Sequence, residues 1–298
     1  MSIENKNISI YILSSPLHIF QASILSNGYS DNIFIIDENI RSVYKENSVL
    51  KGRFIYTPFE DSLVKTIFGS FKYKFLNSKS HSKVRVFIGN QNHSICSIVV
   101  NKYRNCEINL LDDGLVNYGL QSEPSNSYVF LIKWVVFYCL YFFGVKIFSY
   151  GHGHNLAFPS FISVKFHSLI PEFKVKNRKN IECFYLKDKL KKSDSEINGK
   201  IYFLSYEDSI SPSCDVGISD VNIKKVYHPR VKPRVKPELP YEFSLDSYEV
   251  HSQLSSIILV KLGIYDQRDS LVVYYKDSDI KKIRFLEEVF GEIDKVKV

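Results

Sequence analysis

Cysteine is scarce in this 298-residue sequence, and the five that occur are not grouped. Cys96, Cys106, Cys139, Cys183 and Cys214 are odd in number and show no CxxC spacing. A zinc site needs grouped ligands, and a disulfide framework needs paired cysteines, so the pattern favours neither. We expect reduced and mostly buried thiols, as in a protein of the cytoplasm.

Acidic residues are also in deficit, with 32 Asp and Glu against 39 Lys and Arg, a net charge of +7. Such a balance favours anionic partners: sugar nucleotides, lipid headgroups or nucleic acid. The lysines are spread out and the only compact basic motif is the proline-punctuated loop 230–237, so we expect no nucleic acid partner. The polar start, Met1–Asn7, runs directly into an apolar segment and shows no signal peptide, which predicts a cytoplasmic protein.

Short apolar runs alternate with helical stretches along the whole chain, which predicts an α/β fold with parallel βαβ units. The predicted strands are 8–13, 32–36, 53–56, 84–88, 107–111, 201–204, 223–227 and 271–275. Helices are predicted to begin at Ser14 and to span 93–103, 255–262 and 280–290. The polar stretch 174–200 is predicted to be a linker or a solvated element. We therefore predict two Rossmann-like domains, 1–195 and 196–298.

A pair of acidic side chains, Asp112 and Asp113, follows the predicted strand 107–111 and precedes Gly114. Chemistry in α/β proteins gathers at the carboxyl ends of strands, so the pair is a candidate base site. Adjacent side chains of an extended chain point in opposite directions, so one can face a ligand while the other binds the protein. The alternative is an ordinary Asp-Gly turn that caps the next helix.

Two motifs of the second half complete the candidate chemistry. His228-Pro229 follows the predicted strand 223–227, and Ser255-Ser256 opens a predicted helix. Backbone N–H groups and hydroxyls at a helix start suit a phosphate. The alternatives are an exposed loop histidine and a serine helix cap. Together with the acid pair, these motifs offer a base, an acid and a phosphate site.

With these motifs the chain resembles the bacterial GT-B sialyltransferases, in particular the lipopolysaccharide sialyltransferases of glycosyltransferase family 52, with the capsule polysialyltransferases as relatives. The resemblance rests on Leu-Asp-Asp-Gly at 111–114, Tyr-His-Pro-Arg at 227–230, Leu-Pro-Tyr-Glu-Phe at 239–243, Ser-Ser at 255–256, and the opening strand and loop 11–19. It implies a GT-B-like fold, in which two Rossmann-like domains place the active site in the cleft between them.

The resemblance also implies a division of roles. Asp112 would be the general base that takes the proton of the acceptor hydroxyl, and Asp113 would support it. His228 would protonate or hydrogen-bond the departing CMP phosphate. Ser255 and Ser256 would bind that phosphate.

The resemblance further implies the substrates. Glu242 would bind the cytidine ribose, with Glu238 as its rival, and Pro229 would belong to the same CMP site. The reaction would be an inverting transfer of sialic acid from CMP-sialic acid to a terminal galactose of an O-antigen, lipooligosaccharide or capsule. An α2,3 linkage is expected before α2,8. Because a histidine and hydroxyls can stabilise a single phosphate leaving group, we expect no metal and no cofactor.

A membrane partner is expected as well. The resemblance implies a lipid-linked glycan acceptor at the cytoplasmic face of the inner membrane. The apolar stretch 128–148 reaches the roughly 20 residues that span a bilayer, but Lys133, Gly144 and Lys146 interrupt it. We therefore expect peripheral attachment through this stretch and the basic loop, with no spanning helix. The basic side chains of that loop are Arg230, Lys232, Arg234 and Lys236.

Three other functions remain open. The first is a GT-B glycosyltransferase with another donor, either CMP-Kdo or a nucleotide diphosphate sugar. The second is a metal-dependent phosphohydrolase built on Asp112, Asp113 and His228. The third is a membrane-docked protein that binds a glycan without turnover.

Overall fold

The computed structural model describes two β-sheets in two compact units. The described residues are 7–26, 31–41, 50–75, 83–103, 105–118, 135–136, 138–147, 162–171, 180–189, 196–204, 223–227, 243 and 245–297. The main division along the chain falls between Phe184 and Tyr185, whereas the predicted boundary is residue 195.

The first unit contains a seven-stranded sheet in the order β3-β2-β1-β4-β5-β6-β7. Its strands are β1 (Ile8–Leu13), β2 (Asp31–Asp37), β3 (Arg53–Thr57), β4 (Val84–Ile88), β5 (Glu107–Leu111), β6 (Val164–Ser168) and β7 (Ile181–Tyr185). Its helices are α1 (Pro16–Ser26), α2 (Glu38–Arg41), α3 (Leu63–Phe75) and α4 (Ser94–Lys102). The strands from β3 to β6 pair in parallel, which confirms the α/β prediction.

The two faces of this sheet bury different kinds of side chain, because a parallel strand covered on both sides alternates between two cores. One face is aliphatic and packs against α4 through Val99 and Val100. The other carries a row of aromatic rings. Tyr11 of β1 stacks on Phe34 of β2 at 5.1 Å between ring centroids and on Phe87 of β4 at 4.4 Å. These two cores fix the strand register that places the residues at the carboxyl ends.

The second unit contains a five-stranded parallel sheet in the order β12-β11-β10-β8-β9. Its strands are β8 (Lys200–Leu204), β9 (Ile223–Tyr227), β10 (Glu249–Gln253), β11 (Leu271–Tyr275) and β12 (Asp294–Lys297). Its helices are α5 (Ser256–Leu259), which continues as a π-helical turn over Val260–Ile264, and α6 (Ile280–Phe290).

The sequence does not predict four of the strands: β6, β7, β10 and β12. Within the stretch 174–200, predicted to be a linker or a solvated element, the structure contains β7, and its exposed Glu182 and Cys183 leave little apolar pattern to recognise. Strand β10 carries Glu249 and His251 yet is buried over four of its five positions. The His251 ring stacks on Tyr202 at 4.5 Å and its Nδ1 lies 3.1 Å from the Tyr274 hydroxyl, so neighbouring strands supply the partners that its polar sequence needs.

The stretch predicted to contact a membrane is described only from residue 135 onward, and it is helical at 135–136 and 138–142. Among the helices of the described ranges, none is long and apolar enough to cross a bilayer.

The described cysteines carry free thiols. Cys96 is buried, and burial raises the pKa of both the Cys96 and the Cys106 thiols. Cys139 and Cys183 are exposed, so the expectation of mostly buried cysteines is wrong for these two.

Candidate active site

The order of strands reverses in the first sheet between β1 and β4. The chain builds β2 and β3 on one side of β1 and then crosses to build β4 and β5 on the other. In sheets of this doubly wound order, ligands bind outside the carboxyl ends of the strands at the reversal. Ser14 follows β1, Gly89 follows β4, and the acid pair Asp112 and Asp113 follows the next strand, β5.

Asp112 is fully buried, with no exposed surface. Its Oδ1 accepts a hydrogen bond of 2.9 Å from the Gly114 N–H, and its Oδ2 accepts one from the Tyr118 hydroxyl. Its backbone exchanges two hydrogen bonds with the Gln21 side chain of α1, at 2.8 and 2.6 Å. The acid that the resemblance implies as the general base is therefore the one of the pair that faces into the protein. Asp112 joins the end of β5 to α1 and to the 3₁₀ turn Gly114–Tyr118.

Asp113 is in a different environment, since 21 % of its side chain is exposed. Its Oδ1 lies 3.1 Å from Nε2 of His18, a residue of α1 that is completely buried. The two acids therefore divide as adjacent side chains should, one into the protein and one toward solvent. The geometry favours Asp113 over Asp112 as the carboxylate that can reach a substrate.

The orientation of the His18 ring follows from its second nitrogen. The Ser14 N–H donates to Nδ1 at 3.3 Å, and the Ser14 hydroxyl lies at the same distance. A nitrogen that accepts from a backbone N–H carries no proton, so the ring proton is assigned to Nε2, the atom that faces Asp113. The protonated nitrogen of His18 therefore lies close to the Asp113 carboxylate, although the two groups are not aligned for a hydrogen bond.

Gly89 provides the room for this ring. A Cβ at position 89 would lie 2.3 Å from His18 Nδ1 and 2.6 Å from Cγ, far inside contact distance. The Gly89 N–H donates to the Ile12 carbonyl at 2.9 Å, which keeps the backbone of β4 close to β1. His18 is a candidate site residue that the sequence did not single out. The available signal was a histidine four positions after Ser14 in the first helix of a doubly wound sheet.

The second sheet has its own reversal, between β8 and β10. Ser255 and Ser256 follow the carboxyl end of β10 and begin α5. Ser255 has the extended backbone of a cap residue, φ −141° and ψ 168°, but its side chain makes no capping hydrogen bond. Its hydroxyl lies 3.0 Å from the hydroxyl of Ser252 instead. Both serines are partly exposed, so these hydroxyls sit where a switch-point ligand would bind.

A fully buried lysine of the same helical segment binds backbone at the other end of β10. Lys261 donates from Nζ to the carbonyls of Leu245 and Tyr248, both at 2.7 Å, and to the Gln267 side-chain oxygen at 2.5 Å. Burial lowers its pKa to about 8, and the nearby Asp246 carboxylate opposes the shift. Lys261 thereby joins the segment before β10 to the helix that begins at Ser256.

Several predicted site residues lie outside the described residues: His228, Pro229, Glu238, Glu242 and the basic side chains Arg230, Lys232, Arg234 and Lys236. Strand β9 ends at Tyr227, which pairs in register with Leu204 at the carboxyl end of β8. Within the described part of the chain, no group of three His, Cys, Asp or Glu side chains could bind a metal ion.

Comparison with known proteins adds little to this geometry. No family model matches the sequence, and no curated protein matches it. Among solved structures, the chain is similar to the spinosyn rhamnosyltransferase SpnG complexed with thymidine diphosphate. The identity is 8 %, the match covers 96 % of this chain and 86 % of that chain, and the TM-score is 0.45. A likeness at this level supports no inference about the reaction or the substrate.

Proposed function

We propose that the protein is an inverting glycosyltransferase that moves sialic acid from CMP-sialic acid to a terminal galactose of a surface glycan. The observation that carries the proposal is the partly exposed Asp113 carboxylate beside the strand-order reversal of the first sheet, 3.1 Å from the buried His18. The choice of donor sugar rests on the ordered motifs of the sequence.

Asp113 is the proposed general base. The acceptor hydroxyl gives its proton to the Asp113 carboxylate while its oxygen forms a bond to the anomeric carbon of the sugar. The bond from that carbon to the phosphate oxygen breaks, and its electron pair leaves with CMP. Attack from the side opposite to the phosphate inverts the anomeric carbon. Base catalysis of this kind contributes roughly 10²–10⁴-fold to the rate.

His18 acts on Asp113 as a positioning residue. Its Nε2–H lies 3.1 Å from Oδ1, where the dipole of the N–H group stabilises the negative charge of the carboxylate. The ring is itself immobile because Ser14 binds Nδ1 and Gly89 packs against the ring. Asp112 takes the supporting role that the sequence had suggested for Asp113.

The leaving group is proposed to bind at the carboxyl edge of the second sheet. Ser255 and Ser256 would donate their hydroxyls to the CMP phosphate, and His228 would protonate or hydrogen-bond it. Pro229 and Glu242, with Glu238 as the alternative, would line the cytidine site. No metal or other cofactor takes part in this mechanism.

A donor panel tests the proposal. Purified protein is incubated with a galactose-terminated acceptor and, in separate reactions, CMP-sialic acid, CMP-Kdo and nucleotide diphosphate sugars, with and without EDTA. We expect CMP release coupled to sialylated product only with CMP-sialic acid, unchanged by the chelator. Transfer from another donor would replace the donor assignment. Loss of activity with EDTA, restored by Mg²⁺ or Mn²⁺, would favour the phosphohydrolase, and glycan binding without CMP release would favour the binding protein.

A further inference from the structure

The surface of the first unit exposes several large apolar side chains on two neighbouring helical segments. On α3 they are Val64 and Phe68, which are 64 % and 72 % exposed. On the segment 135–143 they are Val135, Val136, Tyr138, Phe142 and Phe143, of which Phe142 is 89 % exposed. We call these seven residues the apolar patch. The high exposure of Phe68 and Phe142 indicates a surface that binds a partner.

The two segments share a small core beneath the patch. Val145 and Ile147 are fully buried, and Leu140 packs against them together with Ile67 and Phe71 of α3. Val64, Ile67, Phe68 and Phe71 recur at the spacing of one apolar stripe along α3. Ile67 and Phe71 pack on the small core, whereas Val64 and Phe68 at the edge of the stripe are exposed. The patch is the part of the stripe that this core leaves exposed.

Hydrogen bonds hold the backbone next to Phe142 and Phe143. The helix ends in a Schellman motif: Gly144 has φ +70°, its N–H donates to the Tyr141 carbonyl, and the Val145 N–H donates to the Leu140 carbonyl at 2.9 Å. Asn101 of α4 then binds both the N–H and the carbonyl of Lys146, at 2.8 and 2.6 Å. The exposed rings therefore belong to a fixed surface and not to a frayed end.

The two segments that carry the patch contain basic side chains and no acidic ones. Neither α3 nor the segment 135–147 contains an acidic residue, whereas together they contain Lys65, Lys72, Lys74 and Lys146. Acids occur just before α3, where Glu60 pairs with Lys65 and Asp61 pairs with His93. Lysine is depleted from protein interfaces, whereas lysines beside exposed aromatic and aliphatic side chains are typical of helices that lie in a membrane interface.

We propose that the apolar patch docks the protein on an anionic lipid surface. Phe142, Phe143 and Phe68 enter the boundary between headgroups and acyl chains, and the flanking lysines bind the headgroups. This inference names the contact surface for the peripheral attachment expected from the sequence. It does not depend on the proposed donor, because lipid binding can be measured without turnover.

Vesicle flotation tests the docking surface. The intact protein is mixed with vesicles of phosphatidylcholine alone or with phosphatidylglycerol, at low and high salt. We expect flotation with the anionic vesicles at low salt and partial release at high salt. The double variant Phe142→Ser/Phe143→Ser should partition at least about tenfold more weakly, because two large apolar side chains no longer enter the lipid. The matched control Ile197→Ser/Val296→Ser, which removes two exposed apolar side chains of the second unit, should float as the wild type does.

A charge variant separates the two contributions. Lys72→Gln/Lys146→Gln should lower partition onto anionic vesicles about fivefold per lysine, since each contributes about 1 kcal/mol there. Lys276→Gln/Lys281→Gln is its control. Failure of the wild type to float, or equal flotation of the phenylalanine double variant, would overturn the proposal. So would a lipid-free dimer in light scattering that the phenylalanine variant converts to a monomer, because the patch would then bind a second copy of the chain.

Discussion

The two units place their buried ionisable groups differently with respect to the carboxyl edge of the sheet. In the first unit, Asp112 and His18 are fully buried at that edge, next to the partly exposed Asp113. In the second unit the buried charge is Lys261, whose partners are neutral oxygens, two of them carbonyls just before β10. Those carbonyls lie at the amino end of β10, whereas Ser255 and Ser256 follow its carboxyl end and are partly exposed. An acid beside buried ionisable groups suits proton removal at the first edge, and exposed hydroxyls suit anion binding at the second.

The largest expected effect concerns Lys261 of the second unit and the pH dependence of the free energy of unfolding. Burial lowers the pKa of Lys261 to about 8, so the native state loses this proton at lower pH than the unfolded state does. The unfolded state then binds more protons between pH 8 and 10.5, and the wild type gains stability with rising pH across that window. Relative to Lys261→Met, the gain should approach about 3 kcal/mol. Denaturant titrations of both proteins across this window measure it, and a difference that stays constant with pH would show that Lys261 does not titrate there.

The next effect concerns Asp112, which joins the end of β5 to α1 and to the turn Gly114–Tyr118. Asp112→Ala removes the acceptor for the Gly114 N–H and the Tyr118 hydroxyl, both inside the protein. Leaving such donors without a partner should lower the free energy of unfolding by roughly 2–4 kcal/mol. Asp277→Ala is the control, because the Asp277 side chain is 82 % exposed. A change below about 0.5 kcal/mol, typical of surface sites, would return Asp112 to candidacy as the base.

A smaller effect, on kcat, is expected from His18, which is proposed to position Asp113. His18→Leu removes the polar N–H that lies beside Asp113 and should lower kcat about tenfold or more, with little change in the acceptor KM. His18→Gln keeps an N–H that can reach the carboxylate, so it should recover part of the loss. Circular dichroism confirms the fold of each variant. A rise in acceptor KM at unchanged kcat, equal in both variants, would assign His18 to acceptor binding instead.

The smallest effect concerns the hydroxyls of the second edge. Ser255→Ala/Ser256→Ala should weaken CMP binding about tenfold, because two hydrogen bonds to a charged phosphate are lost. Ser278→Ala, at an exposed position before α6, is the matched control. Calorimetric titration with CMP measures the affinity. Equal affinities of wild type and double variant would leave the two serines as the start of a helix and nothing more.

Much of the fold could be predicted from the sequence because its strands are apolar runs. The β1 segment, for example, is buried at five of its six positions, and only such runs fit a strand covered on both faces. Strand β10 could not be predicted in this way, because its buried His251 depends on Tyr202 and Tyr274 of neighbouring strands. No local pattern contains those partners.

The place of the acid pair in the fold could be predicted, but not the environment of each acid. An acid pair after an apolar strand is expected at the carboxyl edge of a parallel sheet, and the structure places it beside the strand-order reversal. Asp112 turns inward to Tyr118 and Gln21, and Asp113 lies beside His18. These contacts form only when α1 packs beside β5, so the residues alone left both acids open, and the resemblance implied Asp112 where the geometry favours Asp113.

The most direct test compares the two acids with the same donor and acceptor. Turnover of CMP-sialic acid is measured for Asp113→Asn and Asp112→Asn at a temperature where circular dichroism shows both variants folded. We expect Asp113→Asn to lose roughly 10²–10⁴-fold in kcat with CMP affinity unchanged, and Asp112→Asn to stay within about tenfold of the wild type. Near-normal turnover by Asp113→Asn, or abolished turnover by folded Asp112→Asn alone, would contradict the assignment of Asp113 as the base.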